Sequence, residues 1–66
     1  MEITLNGEPK QIPTGTTAAR LIELLDLTGR RLAVEVNEEI VPRSTYYGYK
    51  FQPGDKVEIV HAIGGG

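Results

Sequence analysis

Residues 1–25 read MEITLNGEPKQIPTGTTAARLIELL, and the first half of this stretch predicts a β-hairpin. Ile3 and Leu5 alternate with polar residues, as in a strand that buries one face. Asn6-Gly7 comes directly after them and is the strongest short signal for a hairpin turn, because both residues tolerate positive φ. We therefore expect the chain to turn at Asn6-Gly7 and to return as a second strand over residues 10–13.

The second half of the stretch predicts one amphipathic helix. Thr16 and Thr17 are candidate N-caps, because a threonine hydroxyl can accept a hydrogen bond from the first helical turn. The apolar residues after them recur at helical spacing and would face a sheet: Ala18, Leu21, Ile22 and Leu25. We expect a helix of about three turns, which is close to the typical length.

Downstream of the helix, the apolar residues alternate again and predict further strands. Leu32, Val34 and Val36 would bury one face of a third strand. Pro42 cannot continue a strand ladder, so it would end a short strand at residues 40–41 that comes after a tight connection. The remaining elements are an irregular crossing with one helical turn over 44–49, a turn at 53–55 and a last strand over 56–63.

This order of elements predicts an α+β roll in which a mixed four- to five-stranded sheet wraps against one main helix. The last strand would pair beside the first in the middle of that sheet. Residues 1–63 would form a single domain, and residues 64–66 a flexible glycine tail. A chain of 66 residues has room for one small core.

Composition excludes several classes of function. The chain has no cysteine, so disulfides, thiolate metal sites and a cysteine nucleophile are excluded. It has neither the basic, apolar start of a signal peptide nor an apolar stretch that could span a bilayer, so we expect a cytoplasmic protein without a membrane partner. The net charge of −2 is spread along the chain, which argues against nucleic-acid binding.

The polar residues provide no evident catalytic centre. His61 is the only histidine and has no partner at close spacing for a triad or a metal site, so we expect a partly buried or rim side chain. The carboxylates are scattered, and the adjacent Glu38-Glu39 lies at a predicted turn. No glycine is followed by the Lys-Ser or Lys-Thr of a phosphate-binding loop. The tyrosines of residues 46–49 are expected to pack over the core rather than to stack on bases.

The three glycines at 64–66 are the most informative functional feature. A glycine-only terminus can pass through a narrow channel that any Cβ would block. Three extended residues reach at most about 10 Å and can deliver a carboxylate into the active site of another protein. A frayed end or a linker remnant would give the same residues, so these interpretations stay open at this point.

The last strand also presents a candidate docking surface. Val60 and Ala62 point away from the face that Val57 and Ile59 would bury, so small apolar groups would lie on the outer side just before the tail. With Ile63 they form the predicted partner-binding surface, at the place where a partner must hold the chain to take up the tail.

With these elements placed, the chain resembles the ubiquitin-like, β-grasp sulfur carriers and, among them, the thiamine-biosynthesis family called ThiS. The likeness covers essentially the whole chain. It is carried by Asn6-Gly7-Glu8, by VNEEIVPR at 36–43, by the Gly54-Asp55 turn with the strand at 57–60, and by HAIGGG at 61–66. The Gly65-Gly66 pair is common to sulfur carriers and ubiquitin-like modifiers, whereas residues 40–43 and the ending are more similar to ThiS than to its molybdopterin relative.

The resemblance implies that the chain is a protein co-substrate and not an enzyme. Gly66 would be adenylated by a ThiF-like enzyme that uses ATP, while the chain itself binds no cofactor and no metal. Sulfur from a donor such as a cysteine desulfurase would then replace AMP. The resulting thiocarboxylate would supply sulfur for thiazole formation on the thiazole synthase ThiG, with Gly65 and Gly64 providing clearance for the tail.

Three alternatives remain at the level of sequence. The chain could be the small subunit of molybdopterin synthase or another sulfur carrier, which would change the recipient but not the role of Gly66. It could be a protein modifier that forms isopeptide bonds through Gly66. It could also be an interaction or RNA-binding module with an idle tail, and deletion of the tail would then change no partner chemistry.

Overall fold

The computed structural model describes residues 1–61 and contains five strands, one α-helix and one 3-10 helix. In chain order these elements are β1 (Glu2–Leu5), β2 (Glu8–Gln11), α1 (Ala18–Leu24), β3 (Leu32–Val36), β4 (Glu39–Val41), a 3-10 helix (Arg43–Thr45) and β5 (Lys56–His61). The strands form one mixed sheet in the order β2-β1-β5-β3-β4. The predicted α+β roll, with the last strand beside the first in the middle of the sheet, is confirmed, and β3 is the other neighbour of β5.

The core lies between α1 and one face of the sheet. Its most deeply buried side chains come from the helix, the strands and the segment before β5: Ile3, Leu21, Val34, Phe51 and Val57. In β3 the residues alternate between buried and half-buried along the whole strand, as the sequence predicts. Burying each such side chain contributes about 1.5–3 kcal/mol, so these few residues supply much of the stability of a small domain.

The second strand begins earlier than the sequence predicts. Two residues, Asn6 and Gly7, form the turn at φ of 50° and 86°, so that Glu8 lies directly opposite Leu5 and pairing resumes at once. The strand therefore covers Glu8–Gln11, and the prediction of residues 10–13 is wrong. Pro9 is tolerated there because β2 is an edge strand.

The helix is also shorter than predicted, with seven residues instead of about three turns. Thr17 is the N-cap, and its side chain accepts a hydrogen bond from the backbone N–H of Arg20. The helix ends because Asp26 adopts a φ of 58°. The N–H groups of Asp26 and Leu27 then bond back to the carbonyls of Glu23 and Ile22, the pattern of a Schellman motif with aspartate in the place of the usual glycine.

Two asparagine side chains replace ladder bonds around β5. The amide oxygen of Asn6 accepts a hydrogen bond of 2.8 Å from the N–H of Ile59, beyond the short pairing of β1 with β5. The amide oxygen of Asn37 accepts from the N–H of Lys56 at 3.0 Å, and its amide nitrogen donates to Asp55 at 3.2 Å. Both asparagines lie in turns at positive φ, so each serves the turn and β5 at once.

Replacing Asn6 by alanine should destabilise the domain by about 1–3 kcal/mol, because the partly buried N–H of Ile59 loses its acceptor. Alanine is also less tolerant than asparagine of the left-handed turn. Thermal unfolding followed by circular dichroism measures the effect. Asn6→Asp keeps an acceptor oxygen, so its melting temperature should fall less than that of the alanine variant. Equal melting temperatures for the alanine variant and the unchanged chain would contradict this role of Asn6.

The remaining segments agree with most of the sequence predictions. Residues 43–45 form the expected single helical turn, and Tyr46 is buried as predicted. Tyr47 is 88% exposed, so the prediction that it packs over the core is wrong. Tyr49 packs edge-on against Phe51, with ring centroids 5.7 Å apart. Burial, with smaller contributions from Asp55 and Glu39, raises the pKa of Tyr49 above its ordinary value of 10.0. No helix among residues 1–61 is both long and apolar enough to cross a membrane.

Candidate functional site

β5 is the element that brings the chain to the predicted site. It lies between two strands, parallel to β1 and antiparallel to β3, and its last residue, His61, pairs with Leu32. The five-residue register with β3 holds β5 along most of its length. The last described residue, His61, therefore lies at the end of the central strand of the sheet. Its pairing with Leu32 fixes the position from which the chain continues to the C-terminal residues.

Most of the predicted site residues lie outside the described residues. This is the case for the glycines at 64–66 and for two of the three predicted partner-binding residues, Ala62 and Ile63. Of the predicted site the structure describes Val60 alone. Its side chain is 53% exposed on the face of the sheet opposite α1, as its position in the alternation predicts.

Val60 has apolar neighbours on this outer face. Ala33 pairs directly with Val60 across β3 and β5, and Ile40 pairs with Glu35 one strand further. Ile40 is 64% exposed, which is unusual for an isoleucine. Together these positions form a patch, here called the outer patch, that consists of Ala33, Glu35, Ile40, Glu58 and Val60. Two exposed apolar side chains on one face, Ile40 and Val60, make this patch a candidate protein-docking surface.

Two carboxylates give the outer patch its charge. Glu35 and Glu58 are directly opposite each other in the β3–β5 register, and both side chains are half-buried. Like charges in directly opposed positions destabilise a sheet by a few tenths of a kcal/mol up to about 1 kcal/mol. A cation from a partner would relieve this repulsion. The patch is thus matched to a surface that presents apolar groups and a basic side chain.

The described residues offer little for bond-making chemistry. His61 is exposed at the end of β5, so the prediction of a rim position is correct and that of partial burial is wrong. Nowhere in residues 1–61 do three or more His, Cys, Asp or Glu side chains cluster closely enough to hold a metal ion. The carboxylates of the outer patch are flanked by apolar groups and by each other.

Sequence reasoning found Val60 but missed its partners in the outer patch. Ala33 and Glu35 occupy the polar positions of β3, which alternation alone assigns to solvent. Ile40 comes after a turn in which Asn37 and Glu38 both have positive φ, and this two-residue turn sets which residue faces outward. Finding the patch requires the order and register of the strands. Within the sequence, the one hint was an isoleucine, Ile40, directly before Val41 in a short strand, because only one of two successive strand residues can face the core.

Comparison with known proteins gives a consistent result. The sequence model of the ThiS family matches residues 3–66. The chain is 33% identical to the sulfur carrier protein ThiS of Escherichia coli over 66 residues, which is the full length of both. Its fold matches the crystal structure of a thiamine biosynthesis protein (ThiS) from Geobacter metallireducens, with a TM-score of 0.87, 28% identity and complete coverage of both chains.

A second kind of relative is much longer than this chain. The chain is 44% identical over all 66 residues to a thiazole synthase of Magnetococcus marinus, and 42% identical to one of Paramagnetospirillum magneticum. It spans 20% of the length of each of these proteins. A sequence closely similar to this chain is thus part of proteins that are named for synthesis of a thiazole.

Proposed function

The chain is a member of the ThiS family of sulfur carriers, and from this premise we propose that it carries sulfur as a thiocarboxylate on Gly66 for thiazole formation in thiamine biosynthesis. A carboxylate does not react with nucleophiles, because it has no adequate leaving group. Joining it to AMP, with release of pyrophosphate from ATP, creates an acyl adenylate from which AMP departs readily. In this scheme the chain contributes the reacting carbonyl carbon and its partners contribute the catalysis.

The sulfur-transfer step balances with a persulfide as donor. The terminal sulfur of the persulfide attacks the acyl carbon, and AMP leaves. A second thiol then cleaves the sulfur–sulfur bond, which leaves the thiocarboxylate on Gly66 and a disulfide on the donor side. The chain has no cysteine, so both sulfur-bearing groups must come from other proteins or small thiols.

The observation that carries this proposal is the position of the outer patch relative to the end of β5. Val60 is the last residue but one of β5 and is itself part of the patch. A partner that binds the patch therefore holds the chain within two residues of the start of the segment that leads to Gly66. The docking surface is thus separate from the reacting group. A carrier that visits several enzymes needs this separation, because each enzyme must bind the domain while Gly66 reaches the enzyme's active site.

We propose three kinds of partner. The first is a ThiF-like adenylating enzyme, which would bind the ATP used in the reaction. The second is the sulfur donor, a cysteine desulfurase or an equivalent source of persulfide. The third is thiazole synthase, ThiG, and the similarity of this chain to a part of two thiazole synthases supports it. The cytoplasm remains the predicted location.

The test is the intact mass of the chain after incubation with ATP, an adenylating enzyme and a sulfide source. We expect a gain equal to the exchange of one oxygen for sulfur, and addition of thiazole synthase with thiazole precursors should reverse the gain. The E. coli ThiS protein, incubated in parallel, shows that the enzymes are competent. An unchanged mass beside a converted control would contradict the carrier function, and conjugates on lysine would indicate a modifier.

A further inference from the structure

A pocket lies beside the C-terminal end of α1, away from the outer patch. Its volume is about 360 Å³, and its walls come from one side of α1, the loop up to β3, the start of β3 and the 3-10 helix region. This volume is at the lower end of the range that small-molecule sites occupy. Among residues 1–61, none of those that line it belongs to the outer patch.

The floor of the pocket is apolar and held in place by the fold. The Schellman motif at the end of α1 brings Leu27 back towards Ile22, and both line the pocket. Leu32, the first residue of β3, is buried beneath it, as is the ring of Tyr46. The floor is therefore formed by side chains whose positions are fixed by the core.

The rim of the pocket is basic. Arg30, Arg31 and Arg43 all line it, which is three of the four arginines of a chain whose net charge is −2. Neither of the two ion pairs found among residues 1–61 involves any of these three side chains. Glu23, the one acidic residue of the lining, is 3.4 Å from Arg20. The pocket thus has positive charge that the described part of the chain does not neutralise.

We propose that this pocket binds a small organic phosphate with an aromatic body. The body would lie on the apolar floor, next to Tyr47, whose exposed ring is available for stacking on it. The phosphate would face the arginines, because the planar guanidinium group matches phosphate oxygens with two parallel hydrogen bonds. Three cations around one apolar pocket favour a doubly charged anion over a neutral ligand. The inference is independent of the proposed sulfur transfer.

The experiment is a titration of the full ¹⁵N-labelled chain with phenyl phosphate, followed by NMR. We expect shifts of the amide signals of Ile22, Leu27, Arg31 and Leu32, with a dissociation constant on the order of 1 mM, as suits a ligand of this size. Phenol, which lacks the charge, and inorganic phosphate, which lacks the ring, should each bind at least about tenfold more weakly.

Charge-neutral variants provide the second arm of the test. Arg31→Gln and Arg43→Gln should each weaken binding of phenyl phosphate by about tenfold, the loss expected for one charge-assisted hydrogen bond. Lys56→Gln is the control, because Lys56 is an exposed cation of β5 and neither it nor its ion-pair partner Glu38 lines the pocket, so this variant should bind as the unchanged chain does. All three side chains are exposed, so the amide spectrum should show that each variant is folded.

Three results would overturn the proposal. The first is the absence of shifts at the pocket residues in about 10 mM phenyl phosphate, well above the expected dissociation constant of about 1 mM. The second is equal binding of phenol and phenyl phosphate, or equal affinity of the Arg31→Gln, Arg43→Gln and Lys56→Gln variants. The third is tighter binding of a short acidic peptide with apolar side chains at the same amides, which would identify a protein-docking surface.

Discussion

A chain that ends at Gly65 is expected to fold as the full chain does and to form thiocarboxylate at least about 100-fold more slowly. The fold should persist because the core cluster, as far as residues 1–61 describe it, ends at Ile59. The chemistry should fail because loss of one extended residue moves the carboxylate by roughly 3.5 Å, and a displacement of about 1 Å already costs about 100-fold in rate. Intact mass after incubation with ATP, adenylating enzyme and sulfide measures the conversion.

Gly66→Ala tests the same role without shortening the chain. Its Cβ would stand next to the acyl carbon, where it hinders attack and entry to a narrow channel, so conversion should fall as well. Gly48→Ala is the matched control, because a Cβ at Gly48 meets nothing within 4 Å and the residue has no positive φ. It should be converted normally. Conversion of the shortened chain at the unchanged rate would show that Gly66 is not the reacting residue.

Val60→Asp is expected to weaken association with the adenylating enzyme by about 30-fold or more and to slow conversion at low protein concentration accordingly. Truncation of a hot-spot residue at the centre of an interface costs about 2 kcal/mol or more, which is about 30-fold in affinity. Here the new carboxylate would also have to lose its water of hydration at an apolar contact, which adds to the loss of affinity. Calorimetric titration of the purified chain with the adenylating enzyme gives the affinity directly.

The control for Val60→Asp is the same change at an exposed apolar residue elsewhere. Leu24 is 46% exposed at the end of α1, and the helix packs against the other face of the sheet. Leu24→Asp should leave the affinity within about twofold, since surface substitutions outside an interface have small effects. If the two variants lost affinity equally, general destabilisation would be the cause. If Val60→Asp bound normally, the partner would not dock on the outer patch.

The strand pattern could be predicted because its signals are local. Asn6-Gly7 and the alternation of Leu32, Val34 and Val36 define a hairpin and a half-buried strand without reference to the rest of the chain. The sequence predicts too long a helix because the usual stop signal, a glycine just after the last turn, is missing. Asp26 takes the left-handed conformation that glycine normally provides, so the apolar stripe continued past the point where the helix ends.

The site could be predicted only in part, since it depends on contacts between distant segments. Val60 could be assigned from alternation within one strand. Its grouping with Ile40 depends on the β3–β4 turn, where Glu38 adopts a φ of 70° although it is neither glycine nor asparagine. The hydrogen bond from the backbone N–H of Ile59 to the side chain of Asn6 joins residues 53 positions apart, and no periodic pattern in the sequence indicates it. The role of Gly66 came from resemblance and from its residue type, and it stays a prediction.

The central place of β5 determines how the domain responds to tension. A pull on the chain beyond His61 acts along β5, whereas the ladder bonds to β3 lie across that direction. These bonds are then loaded in shear and must break together, in contrast to an edge hairpin that opens one bond at a time. The parallel pairing with β1 and the Asn6 side chain resist on the other side. An enzyme that draws the tail inward would therefore pull on a mechanically resistant domain.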